Sequence, residues 1–128
     1  MSQLTGKERA FLSGPNFAYL ATVNPDGTPQ LTPMWVEAEG DLVVMNTQTT
    51  RVKARNFQRD PRVAVSVMNP EDPYDFVTIN GEVVEMTEEG AREHINKLSQ
   101  KYLGKSFPWP ADNRMIFKIR KIRSSEHQ

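Results

Sequence analysis

There is no cysteine among the 128 residues, so disulfide frameworks, thiolate metal centres and cysteine nucleophiles are excluded, and nothing in the chain requires an oxidising compartment. Long hydrophobic runs are also missing. No apolar stretch approaches the roughly 20 residues of a membrane-spanning helix, and Lys7, Glu8 and Arg9 break up the first fifteen residues, which do not read as a secretory signal. The expectation is a cytoplasmic protein that does not engage a membrane. Histidine is scarce: His94 and His127 lack a second histidine or a carboxylate at ligand spacing, so no metal site is expected. A Gly-rich phosphate loop, a metalloprotease helix and a serine elbow are likewise absent. If the chain is an enzyme, its hard chemistry belongs to a cofactor. Net charge is the last absence. Sixteen Lys and Arg balance sixteen Asp and Glu, which argues against a nucleic-acid coat, because phosphate binding accumulates basic residues.

The zero sum conceals blocks. Residues 50–62 carry Arg51, Lys53, Arg55, Arg59 and Arg62 against Asp60; residues 71–93 carry eight acids against Arg92; residues 114–123 carry five bases and no acid. Such blocks ordinarily form solvated faces that attract one another. The length predicts a single domain over residues 1–128 with one core.

Leu4, Phe11 and Leu12 at helical spacing, with Thr5 or Ser2 as cap and Gly14-Pro15 as stop, predict a short amphipathic helix. Phe17 to Val23 predicts a strand, ending at the turn Asn24-Pro25-Asp26-Gly27. Thr28 to Ala38 resumes extended, and Pro29 and Pro33 argue for an edge or an irregular strand. Asp41 to Thr47 follows, so the first three strands are expected as a meander. Thr49 or Thr50 is the expected cap of a helix reaching Asp60. Arg62 to Met68 alternates as a strand, Asn69 to Tyr74 reads as a loop, and Asp75 to Met86 is a long strand bent at Gly81. A third helix carries Ala91, Ile95, Leu98 and Tyr102 on one stripe, and Arg114 to Arg123 is the last strand. Six short strands with three helices indicate a mainly β, α+β fold: a small antiparallel barrel.

The best constellation for chemistry lies between Asn46 and Asn56, at a strand-to-helix junction. A helix N-terminus offers unpaired N–H groups, and Thr50, Arg51 and Lys53 sit in or beside its first turn. Two readings stand level here, a phosphate site and an ordinary basic surface helix. Upstream, Thr32-Pro33-Met34-Trp35 places an aromatic and proline-freed backbone groups nearby. These suit one face of a flat ring, although a strand tryptophan is commonly core.

At this point the sequence resembles the flavin and deazaflavin oxidoreductases related to pyridoxamine 5'-phosphate oxidase. The residues that carry the likeness are Tyr19-Leu20-Ala21-Thr22-Val23-Asn24-Pro25-Asp26-Gly27-Thr28-Pro29-Gln30-Leu31 and Arg51-Val52-Lys53-Ala54-Arg55-Asn56, followed by Arg59-Asp60-Pro61-Arg62-Val63. The second element is similar to that of the branch using coenzyme F420, a deazaflavin. The resemblance implies a split β-barrel of the FMN-binding type and a homodimer with cofactor sites at its interface. It implies cofactor phosphate held by Arg51 and Lys53 with Asn56 in support, and a ring flanked by Thr32, Pro33, Met34, Trp35, Asn46 and Thr47. An aromatic from the second subunit, with Tyr74, Phe76 and Trp109 as candidates, is implied near the ring; Tyr74 or a bound water is the candidate proton donor. The residues that clasp pyridoxal phosphate in the oxidase branch are not recognisable. The expected activity is hydride transfer from F420 to a small conjugated or unsaturated acceptor. The alternatives are FMN in the same fold, or a non-catalytic barrel that carries the cofactor or binds single-stranded nucleic acid.

Overall fold

A computed structural model describes residues 3–127, with side chains as far as Ser124. The elements run α1 (Gly6–Ser13), β1 (Ala18–Val23), β2 (Pro29–Met34), β3 (Glu37–Glu39), β4 (Leu42–Gln48), α2 (Val52–Arg59), β5 (Arg62–Asn69), β6 (Asp72–Thr87), α3 (Ala91–Leu103) and β7 (Arg114–His127). The strands form one antiparallel sheet in the order β2-β1-β5-β6-β7-β4-β3. It rolls around a core to which α1, α2 and every strand but β3 contribute buried side chains, among them Leu12, Leu20, Phe57, Ile79 and Phe117. No ladder joins β2 to β3, so the barrel is split along that seam rather than closed. Pro29 and Pro33 lie on the edge strand β2, where a missing N–H costs nothing. No helix among the described residues is long and apolar enough to cross a membrane.

Seven strands stand where six were expected, because the stretch Thr28 to Ala38 is broken at Trp35-Val36. The backbone of Val36 has left the ladder: its N–H donates to Tyr102 Oη at 3.0 Å, and its carbonyl accepts from Lys101 Nζ. The same lysine reaches the Leu12 carbonyl at 2.9 Å, and Tyr102 donates to the Asn16 carbonyl at 2.7 Å. The last turn of α3 thus clamps both α1 and the crossing chain. The expected meander is corrected for the same reason: β1 and β2 pair as a hairpin, but β3 and β4 pair at the far edge of the sheet.

Other boundaries also move. Thr5 caps α1 in a reciprocal box with Glu8, as its sequence suggests. In contrast, α2 is capped by neither Thr49 nor Thr50; its N-cap is Arg51, with no side-chain cap bond. The expected loop over Asn69 to Tyr74 is a turn of two residues, and β6 begins at Asp72. Gly81 lies where the β6–β7 register shifts. A Cβ there would overlap the Arg120 carbonyl and stand 2.8 Å from Ile119 Cγ2, so glycine is required by close approach of the two strands. Across that ladder the acidic and basic blocks meet, Arg120 with Glu82 and Lys118 with Glu85.

α3 packs on the outer face of the sheet against β4 and β7, burying Ala91, Ile95, Leu98 and, from β4, Val44. β4 is therefore buried on both faces, and a polar residue on its α3 side needs partners.

Candidate functional site

Where α3, the end of β2 and the start of β7 converge, a cleft of about 430 Å³ opens. One wall is Pro33, Met34 and Trp35, with Phe17 beside them; the other carries Asn46, Arg51 and Arg114. Phe107 and Trp109, from the connection between α3 and β7, overhang it, and Ile95 contributes from α3. The indole of Trp35 stacks on Tyr102 (centroids 5.2 Å apart, planes at 9°) and meets Phe107 edge-on at 6.2 Å. Trp35 is thus backed on one side and only half-buried, which a fully packed core tryptophan would not be. An adjoining hollow is lined by Gln48, Arg51, Trp109, Pro110 and Arg114.

Arg51 and Arg114 line one end of the cleft, and Lys53, which is not among the residues that line it, stands within the field of both. Lys53 is 9% exposed, and no hydrogen bond or carboxylate reaches its ammonium among the described residues. Burial holds it below the usual lysine range, and the nearby charges of Arg51 and Arg114 add to the effect. Arg114 is lowered for the same reasons, burial first and Arg51 second. Its Nε donates to Asn46 Oδ1 at 2.8 Å, and its guanidinium lies 5.4 Å from the centre of the Phe107 ring. A buried cation without a partner is costly, and cations that repel one another are costlier still. An anion is the one ligand that relieves both costs. The flat aromatic wall suits a ring attached to such an anion, so these residues fit a phosphate-bearing ring cofactor.

The sequence-predicted residues are only partly brought together. Pro33, Met34, Trp35, Asn46 and Arg51 line the cleft, and Lys53 stands within the field of Arg51 and Arg114. Thr32 is one position away and keeps a buried hydroxyl with no partner among the described residues. Thr47 alternates with Asn46 and shares the barrel-interior face with Met45. Thr50 is exposed beyond the strand. Asn56 is occupied: its Nδ2 donates to Thr22 Oγ1 and Asn24 Oδ1, both at 3.0 Å, and its Oδ1 accepts from Arg59. It seats α2 on the β1–β2 hairpin, so the two motifs read separately in the sequence are in contact. Arg55 folds back onto the Thr50 carbonyl. Tyr74 is 72% exposed on β6 and does not line the cleft of its own chain, whereas Trp109 does. His127 is the last residue of β7, and its side chain lies outside the described part. Sequence reasoning missed Arg114, Phe107 and Phe17. Arg114 was concealed inside a basic block that reads as a solvated strand.

The family model for pyridoxamine 5'-phosphate oxidase matches residues 4–124. Among solved structures, one named F420 reductase is 34% identical, covering 91% of this chain and 94% of its own, with a TM-score of 0.84. A conserved hypothetical protein from Mycobacterium tuberculosis is 24% identical, covering 100% of this chain and 85% of its own, with a TM-score of 0.75. HupZ of Group A Streptococcus is 19% identical, covering 97% and 94%, with a TM-score of 0.72. The last two likenesses concern the fold alone.

Proposed function

The chain belongs to the pyridoxamine 5'-phosphate oxidase family, and from that premise we propose that it is an oxidoreductase that binds coenzyme F420 and reduces a small conjugated or unsaturated acceptor. The observation that carries the reading is the pair Arg51 and Arg114 at one end of an aromatic cleft, with the largely buried Lys53, which no carboxylate reaches among the described residues, within their field. The 34% identity to a protein named F420 reductase favours F420 over FMN.

Bound there, the deazaflavin supplies a hydride. This chain's residues do the rest. Lys53, Arg51 and Arg114 hold the phosphodiester and the acidic tail, and Trp35, stiffened by Tyr102, offers a flat surface to the ring. Phe107 and Trp109 flank it. Among the described residues no carboxylate or histidine lines the cleft, so in this reading the proton that follows the hydride comes from solvent or from another copy of the chain; Tyr74 is the candidate in the second case.

The second copy belongs on the outer face of β2, β1, β5 and β6. There Tyr19, Leu31, Ala21, Ala64, Ser66 and Thr78 lie side by side, and the charges of that face, Arg62 and Glu82, stand at its end where β5 and β6 pair them. The reading thus comprises a homodimer acting in the cytoplasm on a small-molecule substrate, with neither nucleic acid nor membrane as partner.

Both tryptophans of the chain line the cleft, so their fluorescence reports its occupancy. Titration with F420 is expected to quench it saturably at micromolar concentration, and FMN to bind more weakly. Tighter binding of FMN would assign the cleft to the flavin, and silence with both would remove the cofactor reading.

A further inference from the structure

Arg114 is held in the cleft by no carboxylate among the described residues. Behind its partner Asn46 runs a chain of polar groups that takes no part in the cleft wall. Asn46 Nδ2 lies 2.9 Å from the Ala91 carbonyl and 3.0 Å from Nδ1 of His94. Nε2 of His94 is 2.6 Å from Oε2 of Glu37, whose Oε1 is 3.2 Å from Lys97 Nζ. The side chains of His94 and Glu37 are 10% and 14% exposed, and Asn46 is buried. These residues come from β3, β4, α3 and β7, and nothing in their sequence spacing links them.

Donors and acceptors fix every proton in this chain. The Ala91 carbonyl only accepts, so Asn46 must turn its NH2 towards it; Arg114 only donates, so it must receive Oδ1. With the amide so oriented, His94 Nδ1 faces a donor and carries no proton. The imidazole is therefore neutral, with its proton on Nε2 donated to Glu37.

Resting on the reading of the cleft as a cofactor site, we propose that Glu37 and His94 are positioning residues for Arg114: they present a bare Nδ1 to Asn46, lock its Oδ1 towards the guanidinium, and so aim Arg114 at the bound anion. The charged groups that face the imidazole are Glu37 from β3, with Lys97 from α3 beyond it, and Arg114 from β7 through Asn46. Lys101, from the next turn of α3, acts through its attraction to Glu37. Protonation at Nδ1 sets two donors face to face. Asn46 cannot turn over without offering NH2 to Arg114 and Oδ1 to the Ala91 carbonyl, so charging His94 releases Arg114.

The test is nitrogen-15 NMR of the full ligand-free chain between pH 8 and 5, with the Arg114 Nε–H identified by its loss in Arg114→Lys. Wild type is expected to show His94 with its proton on Nε2, and an exchange-protected Arg114 signal that disappears with the His94 midpoint. His94→Asn, whose Oδ1 replaces Nδ1 as acceptor, should keep that signal down to pH 5, and His94→Ala should lack it throughout. At pH 7, F420 is expected to bind wild type and His94→Asn alike and His94→Ala about three- to tenfold more weakly, the span for one hydrogen bond. A proton on Nδ1 in wild type, or an Arg114 signal indifferent to His94→Ala, overturns the proposal. Failure of F420 to bind wild type, or indifference of its binding to Lys53→Ala, overturns the cofactor reading instead, and the NMR result still decides the role of His94.

Discussion

Among single residues, Lys53 shows the clearest conflict between stability and function. The residue is largely buried, Arg51 and Arg114 repel its charge and no carboxylate reaches it among the described residues, so Lys53→Met is expected to raise the melting temperature of the ligand-free protein, and calorimetry checks this. Lys101 and Tyr102 make a second residue-scale prediction. Burial pushes Lys101 down to about 8, with attraction to Glu37 opposing and repulsion from Lys97 assisting, and it pushes Tyr102 up to about 12. Below pH 8 Lys101 is charged in both states and the folded state bears its desolvation. From 8 to 10.5 the unfolded chain holds the proton that the folded chain has released, so stability rises with pH. From 10 to 12 the unfolded chain loses the tyrosine proton first, so stability falls. Denaturant midpoints measured from pH 7 to 12 should show the rise and the fall, and Lys101→Met should reduce the rise, leaving the share that Lys53 contributes. Arg51, Lys53 and Trp35 were legible in the sequence because each sits in a local pattern. Arg114 and the Glu37–His94 pair were not, because their partners are 57 to 68 residues away and only the fold brings them together.

At the scale of elements, the punctuation residues were read well and the long-range clamps were missed. Gly27, with φ at +88°, closes the first hairpin as Asn-Pro-Asp-Gly implies, and Gly81 marks the bulge. Gly81→Ala is expected to cost about 1–3 kcal/mol or more in urea unfolding, because backbone rather than a mobile side chain must give way. The break between β2 and β3 carries no local signal; the side chains that take the Val36 backbone groups belong to α3. The N-terminus of α1 hides another such tie. Glu8, fully buried, pairs with Lys121 at 2.9 Å. Burial would raise its carboxyl, but Ser124, Lys121 and the Thr5 N–H together bring it below its ordinary value. Glu8→Ala leaves the Lys121 ammonium buried and is expected to cost about 3–5 kcal/mol, by the same unfolding measurement.

For the whole molecule, the barrel reading survives with two changes: the sheet has seven strands, and it stays open between β2 and β3. Composition and turn spacing were enough for an antiparallel barrel, whereas strand order was not, because a meander and a crossover have the same local sequence. The outer face of β2, β1, β5 and β6 makes the proposed dimer testable. Leu31→Glu places a charge on its exposed edge strand β2 and should shift the sedimentation coefficient from dimer to monomer with unchanged circular dichroism. Outward-facing strand residues, split cleft and basic cluster all bear on one claim, that this cleft holds an anionic ring cofactor through Lys53. Isothermal titration of F420 into wild type and Lys53→Ala measures it directly. The account predicts saturable binding to wild type and a dissociation constant weaker in the variant by roughly ten- to a hundredfold, the span of a hydrogen bond to a charged group; equal affinities for the two proteins would contradict it.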